Sequence, residues 1–260
     1  GISTDVYAPG NIKSNLYGKD FFKGKYAAVR TNAWLNVPLM QFGKNILSSS
    51  IAVSYQKLYL TNVTNYNPSL PVEKTDINST LFMPSLNFTR VDSLFNRPVL
   101  YSATATVMID PVNGQTLVSG IGMAMLTLKQ NENTTFSLGL IGMFDPSAPI
   151  PVIPMISYSH NFKHGLKFSL DPSGIVLRKE FNAKNSLSIS NTIAGNMWLF
   201  KRDIVNLPIK ETYTTFEMKS GLTYEHLLTP KTVLTLNGGL SSMFTSKVLD
   251  RHNKAFIKNT

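Results

Sequence analysis

The sequence predicts an all-β protein, an antiparallel up-and-down barrel of about fourteen strands, with twelve as the second choice. Three observations predict it. Nearly every segment alternates apolar and polar side chains at the two-residue period of a strand. These segments run for roughly ten residues before turn-forming residues interrupt them. The connections between them alternate between short and long, as they do at the two ends of a barrel. No segment carries a helical period, and the chain, 1–260, reads as one domain.

The alternation is plainest in SLSISNTIAGNMWLF, residues 186–200. Leu187, Ile189, Ile193, Met197 and Leu199 share one parity. Ser188, Ser190, Thr192 and Asn196 share the other, with Trp198 out of place among them. A strand expected over 26–39 sets Ala27, Val29, Ala33, Leu35 and Val37 against Arg30, Asn32 and Asn36. One over 99–109 sets Val99, Tyr101, Ala103, Ala105, Val107 and Ile109 against Leu100, Ser102, Thr104, Thr106 and Met108. One over 232–245 sets Leu234, Leu236, Leu240 and Phe244 against Thr235, Asn237, Gly239 and Ser241. Further strands are expected over 3–8, 47–60, 78–90, 117–129, 134–144, 152–162, 166–170, 175–181, 187–201, 212–226 and from 255 onward. The short connections are 42–45, 91–97, 131–133, 163–165, 182–185 and 228–231. The alternate set, 9–25, 61–77, 110–116, 145–150, 202–211 and 247–254, is mostly longer, with DPSG at 171–174 the exception.

Composition bears on the medium each face meets. Charged residues are 15% of the chain, against about 25% in soluble domains, and hydrophobic residues 43%. The polar faces carry Ser, Thr, Asn and Gly instead of the Lys and Glu of a water-facing sheet. This predicts a barrel that spans a membrane, apolar face to lipid and small polar residues to the lumen. The alternative is a soluble barrel holding an apolar ligand. The direction of Val29, Leu35, Val107 and Leu236 separates the two. Tyr26, Phe42, Tyr55, Tyr59, Phe144, Phe162, Phe181, Trp198, Phe200, Tyr224 and Phe244, near strand ends, are candidates for interfacial girdles. The best uncharged run, 111–128, is too broken by Asn, Gln and Gly for a spanning helix. The chain opens GISTDVYAPG without the marks of a signal peptide, so a leader is expected to have been removed.

The net charge of +10 is scattered over turns and carries no nucleic-acid signature. With no cysteine, disulfides and thiolate metal sites are excluded. His160 and His164 share parity but flank a turn with no acid beside them, and no metal or other cofactor is expected. Ser159 and His160 are adjacent and point to opposite faces, so they do not form a nucleophile–base pair. No G-x-S-x-G, P-loop or dinucleotide fingerprint occurs, and no enzymatic activity is expected. Gly120 and Gly122 in SGIGMAML are read as sites of curvature or of close packing against an inward side chain.

The functional candidates are the charges of inward parity: Arg30, Lys167, Arg178, Glu180, Glu217, Lys219 and Glu225. Such a set either lines a polar path and tunes solute preference or forms mutual salt bridges that plug the barrel. The leading expectation is a passive channel for a small solute, gated by the segments 9–25 and 61–77. The alternatives are a structural or adhesion barrel with an occluded lumen and the soluble lipid-binding barrel.

The stretch PIPVIPMISYSHNFKHGLKFSLDPSGIVLRKEFNAKNSLSISNTIAGNMWLF, 149–200, resembles a recurring pattern in Gram-negative outer-membrane barrels. It is most similar to a family of such barrels, of unassigned function, common in Bacteroides-type bacteria. MKSGLTYEHLLTPKTVLTLNGGL, 218–240, fits the same strand–turn–strand style. The resemblance implies an outer-membrane location with membrane lipid as partner, and no catalytic motif. Such barrels commonly end on an aromatic residue, whereas this chain ends FIKNT, so a trimmed last strand is expected.

Overall fold

The computed structural model describes residues 1–16, 19–66, 75–112, 114–144, 152–201, 210–249 and 255–259. The strands, in chain order, are β1 (Ile2–Leu16), β2 (Lys19–Phe42), β3 (Asn45–Asn65), β4 (Thr75–Leu94), β5 (Arg97–Asp110), β6 (Gln115–Gln130), β7 (Thr134–Phe144), β8 (Val152–Asn161), β9 (Leu166–Asp171), β10 (Gly174–Glu180), β11 (Asn185–Lys201), β12 (Lys210–Thr229), β13 (Thr232–Leu249) and β14 (Ala255–Asn259). From β1 to β13 they form one antiparallel up-and-down meander. The short β14 then pairs with β13 and, through Ser14–Asn259, Asn15–Lys258 and Leu16–Ile257, with β1, closing the barrel.

Six tight connections gather at one end, called here the turn end: 43–44, 95–96, 131–133, 162–165, 181–184 and 230–231. Local chemistry makes them. Phe95 and Asn96 both have positive φ, 51° and 58°, as a two-residue type I′ hairpin requires. Asn131 and Asn182 each fold a side-chain oxygen onto backbone N–H groups two and three residues on.

The strands outrun their expected limits. The segment 9–25, expected as a long loop, is instead the paired end of β1 and β2, whose register continues to Leu16–Lys19. Pro9 lies where that register shifts, between Tyr7 and Gly10, and Pro38 beside another, between Pro38 and Met40. A bulge accommodates a residue with no N–H to give, so neither proline ends its strand. The segment 61–77 is likewise part strand, with β3 running to Asn65 and β4 starting at Thr75. Its middle, 67–74, lies outside the described residues.

Side chains that meet across the interior define the inner face, and the ladders carry it around the wall. Arg30 of β2 and Glu217 of β12 meet in this way. Lys167, Arg178, Ser188 and Thr223 then form one inward row across β9–β12. Val29, Leu35, Val107 and Leu236 take the opposite parity and point outward, with Leu35 62% and Leu236 58% exposed. Tyr26, expected in an outer girdle, is opposite the buried Leu60 on the inner face. Gly120 and Gly122 also depart from expectation: they face outward, beneath the Phe144 ring.

The wall is uneven. β9 and β10 are the shortest strands of the meander, six and seven residues. Pairing of β8 to β9 stops at Tyr158–Leu170, and that of β10 to β11 at Gly174–Thr192. Beyond this point β8 continues as 152–157 and β11 as 193–201, and among the described residues no strand pairs their facing edges.

Here β11 swings across the barrel. Met197 and Leu199 share the parity of the outward Ile189 and Ile193, yet they pack against Leu81 and Met83 of β4, Met108 of β5 and Leu117 of β6. Those four side chains lie on the inner face. The loop-end half of β11 therefore turns its outer face onto the inner face of the opposite wall, and Leu199 is only 2% exposed. Tight curvature between β12 and β13 accompanies the swing. Gly221 faces Gly239, and a Cβ on either would stand 2.4 Å or 2.2 Å from a carbonyl oxygen of the other strand.

Candidate functional site

The curled part of the sheet brings β1, β2, β3, β11, β12 and β13 around a small space filled by charged side chains. Arg30 is 8% exposed and Glu217 2%. Their closest atoms, Arg30 Nη2 and Glu217 Oε1, are 3.6 Å apart. Burying two ions is costly unless their remaining hydrogen-bonding capacity is met, and here it is. Glu217 Oε1 also accepts from Asn196 Nδ2 at 2.8 Å and Thr215 Oγ1 at 3.2 Å. Its Oε2 accepts from the Tyr7 hydroxyl at 3.3 Å and Ser241 Oγ at 3.4 Å. Arg30 donates from Nε to Gln56 Oε1 at 2.9 Å and from Nη1 to the Tyr7 hydroxyl at 3.1 Å. Tyr7 thus accepts from the cation and donates to the carboxylate.

A second pair extends the network along β1 and β12. Lys219 Nζ binds Asp5 Oδ2 at 3.0 Å. The Tyr7 ring lies between the two cations, with Arg30 Cζ 5.4 Å and Lys219 Nζ 5.3 Å from its centroid, both within cation–π range. Two cations and two carboxylates balance, so the network is neutral and hydrogen-bonded, buried at Arg30 and Glu217 and about a third exposed at Lys219 and Asp5.

The other sequence candidates lie nearer the turn end. Arg178 Nη1 binds Glu225 Oε2 at 2.6 Å, its Nε stands 3.6 Å from Glu180 Oε1, and Ser186 Oγ donates to Glu225. Arg178 is 38% exposed at its side chain, so this cluster is hydrated. Lys167 is opposite Arg178 in the ladder, is exposed, and among the described residues has no ion-pair partner. The seven candidates thus fall into two groups: Arg30, Glu217 and Lys219 in the buried network, and Lys167, Arg178, Glu180 and Glu225 in an open vestibule. On the same inner face Trp34 is exposed, so the turn-end lumen is wide where the network is tight.

Sequence reasoning missed most of the network's neutral members: Tyr7, Gln56 and Thr215, and with them Asp5. Their parity is the only local sign of their role, and Tyr7 sits in the weakest strand of the pattern. It also missed a departure from a polar lumen. The middle of the inner face of β6–β8 is apolar, formed by Ile121, Met123, Met125, Ile141, Met143, Ile153 and Met155, between Ser119 on one side and the row Thr127, Ser137 and Ser157 on the other. The side chain of Trp198 lies outside the described residues.

The histidines are engaged locally. His160 Nδ1 is 2.8 Å from Thr134 Oγ1, and His226 Nδ1 is 2.7 Å from Asn185 Oδ1. Among the described residues no three His, Asp or Glu side chains cluster as metal ligands. Comparison of the chain with protein-family models, with curated proteins and with solved structures finds no match.

Proposed function

We propose that this protein is an outer-membrane β-barrel that moves a small solute while keeping its central axis closed, in contrast to a freely conducting porin. The observation that carries the reading is the buried Arg30–Glu217 network across the lumen. A hydrated ion moving along the axis would have to displace a neutral, fully bonded set of side chains, at a cost of several kcal/mol per stranded charge.

Membrane placement is supported by the outward apolar face. Leu35, Leu236, Ile156, Ile189 and Leu222 are exposed around the circumference, and contiguous exposed apolar surface beyond a few hundred Å² marks a lipid or protein interface. The outward direction of Val29 and Leu35 speaks against a soluble barrel. By the usual polarity of such barrels the turn end faces the periplasm, so the vestibule of Lys167, Arg178, Glu180 and Glu225 opens inward to the cell. The same network favours a second reading, a structural barrel braced by its salt bridges.

Two measurements test the proposal. A bimane on Leu236→Cys is quenched by brominated lipid chains while one on Asn237→Cys is not. Liposomes carrying the protein do not swell in small sugars, and those carrying Arg30→Ala/Glu217→Ala do. Swelling with the native protein contradicts the closed axis. A folded, inserted double variant that still excludes sugars favours the structural barrel.

A further inference from the structure

We propose that the apolar inner face of β6–β8 is a binding lane for a single-chain anionic amphiphile, opening to the bilayer above the β9–β10 hairpin. The inference rests on the membrane reading given above. Four observations meet there.

The first is chemical. β6–β8 are apolar on both faces. Outward stand Val118, Leu138, Leu140, Val152 and Ile156, and inward Ile121, Met123, Ile141, Met143, Ile153 and Met155. A wall between lipid and a polar lumen needs only its outer face apolar. Ile121 faces inward and is still 47% exposed. Three methionines in a lane this short give an adaptable surface, since the thioether chain repacks around alkyl groups of different shape.

The second is the height of the wall. A spanning strand needs about 9–11 residues. β9 has six and β10 seven. Their outward Leu166, Phe168, Leu170, Ile175 and Leu177 still form an apolar face. The hairpin therefore sits in the bilayer and ends short of its far surface.

The third is the swing of β11. Because Met197 and Leu199 are drawn onto β4–β6, the loop-end half of β11 leaves the line of the wall. The lane lies beside the plug and does not pass through it. A molecule in it has apolar neighbours, and the Arg30–Glu217 network stays intact.

The fourth is charge. Below the lane, inner-face Ser157, Ser159 and Ser169 lead to Lys167. Arg178 is neutralised by Glu225 and Glu180. Lys167 has no carboxylate partner among the described residues. From Met155 to the level of Lys167, opposite Asn161, is roughly 20 Å along β8 at strand rise, the reach of an extended chain of about sixteen carbons. An anionic head at Lys167 therefore places its tail against Ile141 and Ile153, beside the buried Met155.

The chain has no cysteine, so single thiols report single positions. A bimane is placed on Ile153→Cys in the lane, or on Leu140→Cys on the outer face, in vesicles of unbrominated phosphatidylcholine. The probes are 16-bromohexadecanoate and its neutral counterpart 16-bromohexadecanol. The proposal expects saturable quenching at Ile153→Cys, reversed by hexadecanoate, and only linear, non-saturating quenching at Leu140→Cys. The alcohol binds the lane at least fivefold more weakly than the acid. Lys167→Gln, an exposed substitution that leaves the fold alone, removes that difference. Ile141→Asn weakens the acid at least tenfold where the variant folds. Linear quenching at both positions, or equal binding of acid and alcohol by the native protein, overturns the proposal. Failure of the Leu236→Cys bimane to meet brominated lipid overturns the membrane reading instead, so the two failures are distinct.

Discussion

Arg30 on β2 and Glu217 on β12 are separated in the wall by β13, β14 and β1, yet their side chains meet at 3.6 Å inside the barrel. The first prediction concerns this pair. Arg30→Ala or Glu217→Ala leaves a buried, unpaired charge and costs about 3–5 kcal/mol, whereas Arg30→Met/Glu217→Met loses far less, because two apolar side chains strand no ion. Urea unfolding of the refolded barrel in vesicles, run as a double-mutant cycle, gives the coupling. A coupling near zero would mean the pair does not hold the strands together.

The vestibule cluster behaves differently. Arg178, Glu180 and Glu225 are hydrated, and pairs of that kind contribute about 0–1 kcal/mol. Arg178→Ala is expected to lower stability by no more than that, and less still in high salt. The contrast between Arg178→Ala and Arg30→Ala in one unfolding series checks the division of the candidates into two groups.

Legibility in the sequence was uneven, for physical reasons. Alternation in 186–200 and 232–245 exposes the strands, because one parity meets an apolar surrounding and the other a polar interior. Strand extent at 9–25 was hidden, because Pro9, Gly10 and Gly24 signal turns locally while ladder pairing with a neighbour overrides so weak a preference. The inward parity of Arg30 and Glu217 was readable. Their meeting was not, since it depends on closure and on the swing of β11, both products of distant contacts. The apolar inner face of β6–β8 did leave a sign, the loss of alternation in LVSGIGMAMLTL.

Glycine substitutions test the tight curl of β12 on β13. Gly221→Val places a Cβ 2.4 Å from the Gly238 carbonyl, and Gly239→Val one 2.2 Å from that of Ser220. Backbone cannot yield as a flexible side chain does, so both variants are expected to lose heat-modifiable migration, the mark of a closed barrel. Gly238→Ala meets nothing within 4 Å and is expected to fold normally.

A charge on the outer face measures the surrounding medium. Leu236→Arg, outward on β13, is expected to cost about 2–4 kcal/mol in a bilayer, as charged side chains do near the midplane of a barrel wall. Asn237→Arg, its inward neighbour, is expected to cost less than 1 kcal/mol, since a lumen charge near the open vestibule stays hydrated. Equal costs in vesicles would show that the two faces meet the same medium.

Leu199→Ala separates the plug from the swing of β11. Leu199 packs with Leu81 and Met108, and truncating so buried a leucine costs about 2–5 kcal/mol. The expected signature is local: faster amide exchange along 193–201, with exchange at Arg30 and Gln56 unchanged.

The closed axis is tested most directly by single-channel recording of the native protein in a planar bilayer, beside Arg30→Ala/Glu217→Ala. The account predicts a silent native barrel with insertion verified independently, and discrete conductance steps from the double variant. Large, stable steps from the native protein would contradict it.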